Sequence, residues 1–224
     1  VSLALFAPFL AVGIVIATIF GVCPREIDRL YCADLVGAGL GCALAVPLIS
    51  LLTPPGCVML AGTLLAVAAI HSGAAESRRL VGLGAVMGVM CLVALVFRGA
   101  LPDPVTDSVK TLASVRRSGA PVLFSRWSTV FRVDVTQGTL GDDVNYIINH
   151  DGNMGSVLHA FNGDPTTLGR FEHDPRVFPF RVAKPSPEVL IIGAAGGHEI
   201  LASLYFGARH VTGVELNPVT VSLL

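Results

Sequence analysis

The sequence predicts a membrane α-helical first half and an α/β second half, which begins with a small antiparallel sheet and ends in the start of a nucleotide-binding βαβ unit. Two observations predict this division. Residues 1–100 carry few charges, and hydrophobic residues make up 53% of the whole chain against 14% charged. A soluble domain is usually about a quarter charged. Near the other end, a branched apolar run leads into the small-residue turn Gly193-Ala-Ala-Gly-Gly197.

The first half contains four apolar runs, each near the roughly 20 residues that a helix needs to cross a bilayer. They cover residues 1–22, 32–53, 56–75 and 80–97. A signal peptide would explain only one run, and the helices of a soluble bundle would normally show a polar face. We therefore expect residues 1–97 to form a transmembrane region of about four helices, in the inner or plasma membrane.

Small residues recur every four positions in the second and fourth runs. They are Ala33, Gly37, Gly41 and Ala45, then Gly84 and Gly88. Small residues at this spacing let helix backbones approach closely in lipid. We expect them to pack within one subunit, with a face for a homo-oligomer as the alternative.

Neither charge nor cysteine usage indicates on which side of the membrane the second half lies. Arginines flank the runs on both sides, so the positive-inside rule does not orient the chain. The net charge of −1 carries no nucleic-acid signal, and no cysteine pair has a metal-ligand spacing. We expect the second half to be cytoplasmic, because a nucleotide-type small molecule would be found there.

A linker and a small sheet are predicted next. Prolines and glycines mark residues 98–121 as the linker, with a short polar helix over Thr106–Arg117. Alternating residues predict three strands, and Asp151-Gly152 predicts the turn between the last two. The strands are Ser128–Val135, Val144–Asn149 and Ser156–Phe161. We expect residues 122–183 to form this antiparallel domain.

The end of the chain has the pattern of a nucleotide-binding βαβ unit. The apolar run Val189–Ile192 predicts a buried parallel strand. The segment Glu199–Phe206 predicts a helix that Gly207 closes. The second strand, His210–Val214, delivers Glu215 at its carboxyl end. The unit covers residues 184–224.

This unit predicts a binding site. A turn of small residues lets backbone N–H groups approach a ligand, and an acid about 20 residues further on can accept both ribose hydroxyls. The candidate cofactor-binding residues are Gly193, Ala194, Ala195, Gly197, Glu215 and Leu216. No catalytic residue and no metal ligand is assigned. Because one βαβ unit is only the start of a doubly wound domain, and Val1 opens within an apolar run, we expect an internal part of a longer protein.

Three segments resemble one family in their order. They are Trp127-Ser-Thr-Val-Phe-Arg-Val-Asp134, the turn Asp151-Gly152, and Pro187-Glu-Val-Leu-Ile-Ile-Gly193. The order resembles the spermidine synthase (polyamine aminopropyltransferase) family, in which a small sheet precedes a Rossmann-like S-adenosylmethionine-type domain. The segment Arg29-Leu-Tyr-Cys-Ala-Asp-Leu-Val-Gly-Ala-Gly-Leu-Gly41 is similar to one in the membrane-attached members.

The resemblance implies that S-adenosylmethionine, or its decarboxylated form, is the donor substrate. It implies that Gly193, Ala195 and Gly197 cradle the amino-acid and ribose parts of the donor. It also implies that Glu215 binds the ribose hydroxyls. The implied reaction is group transfer to an amine or another small nucleophile, and the family's catalytic acid lies on a later strand than this sequence contains.

Three departures from the family pattern argue against transfer to putrescine. Gly196 stands where the family's turn has an Asp that helps to hold the aminopropyl donor. Gly155 replaces the Gln of the family's Asp-Gly-x-x-Gln, and the polyamine-binding Tyr-His-Glu is not recognisable around Arg170-Phe-Glu-His173. Two alternatives stay open: an S-adenosylmethionine-dependent methyltransferase on the same fold, and a non-catalytic membrane protein that senses a ligand.

Histidines supply the remaining candidates. His198 begins the helix after the turn, where it lines the ligand site or faces solvent. The pairs His150-Asp151 and His173-Asp174 have the residue types for acid–base work, but we expect them to be solvated loop residues.

Overall fold

The computed structural model describes residues 2–73, 77–100, 104, 106–140 and 143–224. Its first part is helical. The helices are α1 (Ser2–Val22), α2 (Ile27–Gly73) and α3 (Arg78–Val96), and short 3₁₀ turns follow α1 and α3. The chain divides into two compact units, one before Ile49 and one from Ile49 onwards.

Helix α2 is broken at Thr53, which has a φ of 65° and a ψ of 161°. Pro54 and Pro55 follow the break, and a residue before proline is disfavoured in the α region. The second and third apolar runs therefore form two helical pieces that meet at a kink. The predicted break between these two runs is confirmed.

Two helical segments, Pro24–Gly73 and Arg78–Val96, are long and apolar enough to cross a membrane, and Phe6–Val22 is a shorter apolar helix. Their apolar side chains are largely exposed; Phe9, for example, is 79% exposed and Leu51 is 70% exposed. Soluble proteins rarely expose continuous apolar surface on this scale. The helices thus have surfaces suited to lipid or to further protein.

The second part of α2 packs closely on α3 through small residues. A Cβ at Gly84 would lie 3.1 Å from Cγ1 of Ile70, and one at Gly88 would lie 3.1 Å from Cβ of Ala66. The predicted close packing of the fourth run is therefore confirmed. The stripe in the second run is different, because nothing lies within 4 Å of a Cβ built at Gly37 or Gly41. The packing of these two glycines within the subunit stays a prediction.

We expect Gly88→Leu to lower the stability of the α2–α3 pair by about 1–3 kcal/mol, because the added side chain must displace Ala66. Gly82→Leu, on the same helix, is the matched control, since a Cβ built at Gly82 meets nothing within 4 Å. Thermal unfolding in detergent micelles would measure both. Equal losses of stability would contradict the contact.

A four-stranded antiparallel meander, in the order β1-β2-β3-β4, follows the helices. The strands are β1 (Val122–Arg126), β2 (Val133–Leu140), β3 (Asp143–His150) and β4 (Asn153–His159). The predicted turn at Asp151-Gly152 is confirmed, with φ values of 48° and 86°. The sequence also predicts a turn over residues 138–142, but residues 138–140 belong to β2, and residues 141–142 lie outside the described residues.

The start of the sheet differs from the prediction. Residues 128–132 are not a strand, and β1 precedes them instead. The backbone of Arg132 bonds to the turn, since its N–H donates to Oδ1 of Asp151 and its carbonyl accepts from the Asp151 N–H. The Arg132 guanidinium also lies 5.2 Å from the centroid of the Trp127 ring, so Trp127 packs at this corner.

The predicted linker contacts the sheet. Its helix α4 (Thr111–Arg117) begins at Thr111 rather than at Thr106. Leu112 is buried, its N–H donates to the carbonyl of Gly152, and Oγ1 of Thr111 accepts from the Met154 N–H. Residues 101–103 and 105 of the linker lie outside the described residues.

The polar stretch after β4 forms 3₁₀ helices over Pro165–His173 and Pro175–Val177, then α5 (Phe178–Val182). Asp164 and Asp174 cap the two 3₁₀ helices, because their carboxylates accept from N–H groups two residues on. A core of buried apolar residues joins this stretch to the helix His198–Tyr205. It comprises Leu168, Phe171, Val177, Leu201 and Ala202.

The predicted βαβ pattern is confirmed as local structure. Strands β5 (Glu188–Ile192) and β6 (His210–Val214) pair in parallel, and α6 (His198–Tyr205) connects them. Helix α6 ends in a Schellman motif, in which Ala208 N–H donates to the Ser203 carbonyl and Gly207, at φ 69°, occupies the left-handed position. The short helix α7 (Pro218–Val221) follows β6.

Candidate functional site

The small-residue turn is held at the carboxyl ends of the two parallel strands. The N–H groups of Gly193 and Ala194 both donate to the Val214 carbonyl, at 2.8 and 3.0 Å. Three turn residues have positive φ: Gly193 at 82°, Ala195 at 45° and Gly197 at 78°. A Cβ at Gly193 would point into open space. That space is where a ligand at the strand ends would lie.

Glu215 connects the second strand to this turn. One carboxylate oxygen accepts from the Ala195 N–H at 2.9 Å, and the other accepts from the Asn217 N–H at 2.8 Å. A carboxylate has about four acceptor positions, so two remain for a ligand. The half-buried side chain therefore fits a group that offers two hydroxyls, such as a ribose.

The other predicted site residues differ in whether a side chain or only the backbone is available to a ligand. The side chain of Ala194 is 2% exposed and packs inward, so only its backbone belongs to the turn. Gly197 caps α6. Leu216 is 77% exposed beside Glu215, where its apolar side chain is available to a ligand. The structure thus brings Gly193, Ala195 and Glu215 together, with Leu216 next to them.

Strand β4 approaches the turn at Gly196. The Gly196 N–H donates to Oγ of Ser156 at 3.0 Å. A Cβ at this position would lie 2.3 Å from the backbone oxygen of Val157, closer than any real contact. No side chain fits there without moving the strand, so the aspartate of the aminopropyltransferase turn has no room in this chain.

His150 fills the space beside Gly155. A Cβ at Gly155 would lie 2.4 Å from Nδ1 of His150, whose ring contacts Phe131 at 4.1 Å between centroids, tilted by 31°. Burial lowers the pKa of His150, although the charges of Glu215 and Asp151 act in the opposite direction. The prediction that His150 is a solvated loop residue is wrong, because its ring takes the place of a larger side chain at position 155.

A second group of polar side chains, which we call the histidine cluster, lies behind the turn. Nε2 of His159 is 3.1 Å from Nδ1 of His198, and Nε2 of His198 is 2.8 Å from Oδ2 of Asp174. Nδ1 of His159 is 2.8 Å from Oδ1 of Asn145. All four side chains are buried or half-buried.

Nε2 of His198 faces both an acceptor, the Asp174 carboxylate, and a donor, Nη2 of Arg176 at 2.6 Å. Nδ1 of His159 faces the acceptor Oδ1 of Asn145. The two rings are therefore held by one another and by three polar side chains.

Arg176 contacts both His198 and Asp174 and changes their pKa values. Its Nη2 lies 2.6 Å from Nε2 of His198, and it pairs with Asp174 at 3.2 Å and Glu199 at 3.3 Å. Burial, followed by the Arg176 charge, lowers the pKa of His198 below 6.5, although Glu199 and Asp174 oppose the shift. The hydrogen bond to Arg176 lowers the pKa of Asp174 to about 2.

We expect the folded protein to lose stability as the pH falls from about 7 to about 5. His198 has a lower pKa in the folded than in the unfolded chain, so protonation favours the unfolded chain below about pH 6.5. Asp174 contributes only at lower pH, between its ordinary 3.8 and about 2. His198→Gln should flatten the dependence of Tm on pH, whereas His173→Gln, at an exposed position, should leave it unchanged.

The sequence identified these residues only in part. Its alternative that His198 faces solvent is wrong, since the side chain is 7% exposed and lines a small cavity with His159 and Asp174. Asp174 is not a simple solvated residue, because it contacts both His198 and Arg176. His159 was missed, since it stands at the end of a strand with no motif around it. Within the described residues, no group of three His, Cys, Asp or Glu is placed to hold a metal ion.

A larger cavity of about 460 Å³ opens between the end of β4 and the start of α6. We call it the β4–α6 cavity. Its lining comprises Tyr146, Leu158, His159, Ala160, Phe161, Gly196, Gly197, Ile200, Leu201, Leu223 and Leu224. It thus adjoins the small-residue turn on one side and the histidine cluster on the other.

Comparison of the chain with known family models, with curated proteins and with solved structures gives no match.

Proposed function

We propose that this chain is part of a membrane-attached, spermidine-synthase-like transferase that binds S-adenosylmethionine or its decarboxylated form. The observation that carries the proposal is the contact of Glu215 with the turn at the ends of two parallel strands. The resemblance of the motifs to that family supports the same assignment. A Rossmann-like domain would be the setting of this βαβ unit.

The proposed binding mode uses this chain's own groups. The ribose hydroxyls of the donor would donate to the free acceptor positions of Glu215, which the Ala195 and Asn217 N–H groups already orient. The amino-acid part would lie over Gly193, where no side chain intervenes. When bound, the donor supplies a carbon that is activated by its sulfonium. Leu216 would contact the adenine with its exposed side chain.

The helical part supports a membrane anchor. Helix α2 has 47 residues, about 70 Å of helix, whereas the hydrocarbon core is about 30 Å thick. The break at Thr53 divides this length into two pieces, each near the length of one crossing. We propose that α1, the two pieces of α2 and α3 are the transmembrane helices, with the second half of the chain in the cytoplasm.

A specific observation favours methyl transfer as a second candidate. The steric limits at Gly196 and Gly155 exclude two side chains that the aminopropyltransferases use. S-adenosylmethionine-dependent methyl transfer does not depend on those two residues. The two reactions share the site at Glu215, and they differ in the donor that binds more tightly.

Calorimetric titration of the protein in detergent micelles would test the proposal. We expect measurable binding of S-adenosylmethionine or its decarboxylated form, and much weaker binding of NAD. The donor that binds more tightly separates methyl from aminopropyl transfer. Binding of NAD alone would overturn the assignment.

A further inference from the structure

A long groove lies between the second part of α2 and helix α3, and we call it the α2–α3 groove. Its volume is about 560 Å³, and most of its lining is apolar, with the Ser72 hydroxyl and the Cys91 thiol as the polar side-chain groups. On α3 the lining residues recur every three or four positions and thus form one face. They are Leu80, Leu83, Gly84, Met87 and Cys91.

The length of the groove matches one leaflet of a bilayer. Leu80 and Cys91 are 11 positions apart, which is about 16 Å of helix at roughly 1.5 Å per residue. The hydrocarbon core is about 30 Å thick, so each leaflet contributes about 15 Å. A single acyl chain that enters beside Leu80 would therefore reach the midplane of the bilayer near Cys91.

Positive charge stands at one end of this groove. Arg78 and Arg79 directly precede Leu80, and both side chains are exposed. Two arginines against one glutamate, Glu76, give residues 74–80 a net charge of +1. Cations in the first turn of a helix oppose the helix dipole, and the first turn of α3 contains no acid. An anionic group at this end would offset a charge that the helix itself disfavours.

We propose that the α2–α3 groove binds one acyl chain of an anionic phospholipid, whose phosphate lies at Arg78 and Arg79. The apolar lining excludes a free phosphate, and the position of the arginines distinguishes an anionic from a zwitterionic headgroup. The inference rests on the proposed membrane anchor and not on the transferase site. Because α3 crosses once between these arginines and the second half of the chain, the lipid would lie in the leaflet away from that half.

The test uses tryptophan fluorescence in vesicles of equal parts phosphatidylglycerol and phosphatidylcholine, in which only one of the two lipids is brominated, since bromine quenches tryptophan on contact. Met87→Trp places the reporter in the groove wall, about 10 Å along the helix from Leu80. Val86→Trp is the matched control, because it is exposed at a similar depth outside the groove. The parent protein gives the background of Trp127.

We expect brominated phosphatidylglycerol to be preferred about five-fold at Met87→Trp, which is the effect of about one net charge near a membrane surface. The two lipids should quench Val86→Trp equally.

Two further changes, made in the Met87→Trp protein, separate the headgroup from the acyl chain. Arg78→Gln with Arg79→Gln should abolish the preference for phosphatidylglycerol and leave quenching by phosphatidylcholine. Ala69→Phe fills the groove from α2 and should lower quenching by both lipids about two-fold or more, whereas Ala85→Phe, exposed on α3 outside the groove, should not. Thermal unfolding in micelles checks the folding of each variant.

Equal quenching by the two lipids at Met87→Trp would overturn the inference. Quenching at Val86→Trp but not at Met87→Trp would also overturn it, because protein rather than lipid would then cover the groove. Absence of quenching at both positions would overturn the membrane anchor as well. Calorimetric titration with S-adenosylmethionine tests the transferase site separately, so neither result decides the other.

Discussion

Glu215→Gln is expected to weaken binding of the adenosyl donor about 10- to 100-fold, because hydrogen bonds to a charged group are worth roughly 1.5–3 kcal/mol. The amide keeps the shape of the side chain but loses its charge. In the native protein the carboxylate accepts from the Ala195 and Asn217 N–H groups. The Gln amide can accept from only one of them, because its NH₂ group would face the other. Calorimetric titration in micelles would measure the loss.

Glu188→Gln is the matched control for this prediction. Glu188 begins the first parallel strand, at the end of the strand away from the turn, and its exposed carboxylate pairs with Arg209. We expect its substitution to leave donor binding unchanged. Tm measurements on both variants would separate loss of the site from loss of the fold. An unchanged donor affinity in Glu215→Gln would show that the carboxylate does not contact the ribose.

Gly196→Asp is expected to destabilise the sheet–turn contact by about 3 kcal/mol or more, at the upper end of overpacking effects. The neighbour that a Cβ meets is the backbone oxygen of Val157, which cannot rotate away as a side chain would. The new carboxylate would also face that carbonyl and the Ser156 hydroxyl. Chemical unfolding of the protein in micelles would measure the change.

Gly169→Asp is the control, because a Cβ there meets nothing within 4 Å and the residue has no positive φ. We expect it to change stability by less than about 0.5 kcal/mol. A normally folded Gly196→Asp protein that binds decarboxylated S-adenosylmethionine more tightly would instead favour aminopropyl transfer. It would also show that the β4 backbone shifts readily at Val157.

The sequence predicts the βαβ unit well because its signals are local. The strand His210–Val214 has the predicted bounds, and the helix from His198 to Tyr205 differs from its prediction by one residue at each end. Gly207 closes the helix as expected, since the left-handed conformation there favours glycine. The turn and Glu215, both predicted to bind the ligand, lie close together because parallel pairing of the two strands places their carboxyl ends side by side.

The errors arise where tertiary contacts override a local pattern. The alternation in Ser128–Val135 predicts a strand throughout, but the Asp151 turn takes the hydrogen bonds of Arg132. The first strand, Val122–Arg126, lacks alternation and depends on its partner. The histidine cluster could not be predicted, because Asn145, His159, Asp174 and His198 come from four separate segments.

The meander order of the small sheet has a consequence for biosynthesis. Each strand pairs with its neighbour in sequence, and the sheet is complete at His159, before the parallel strands begin. Sequence-local contacts fold quickly, whereas parallel pairing must close a longer loop. We therefore expect the sheet to fold on the ribosome as soon as it emerges, and to offer the edge of β4 to the turn when that segment is synthesised.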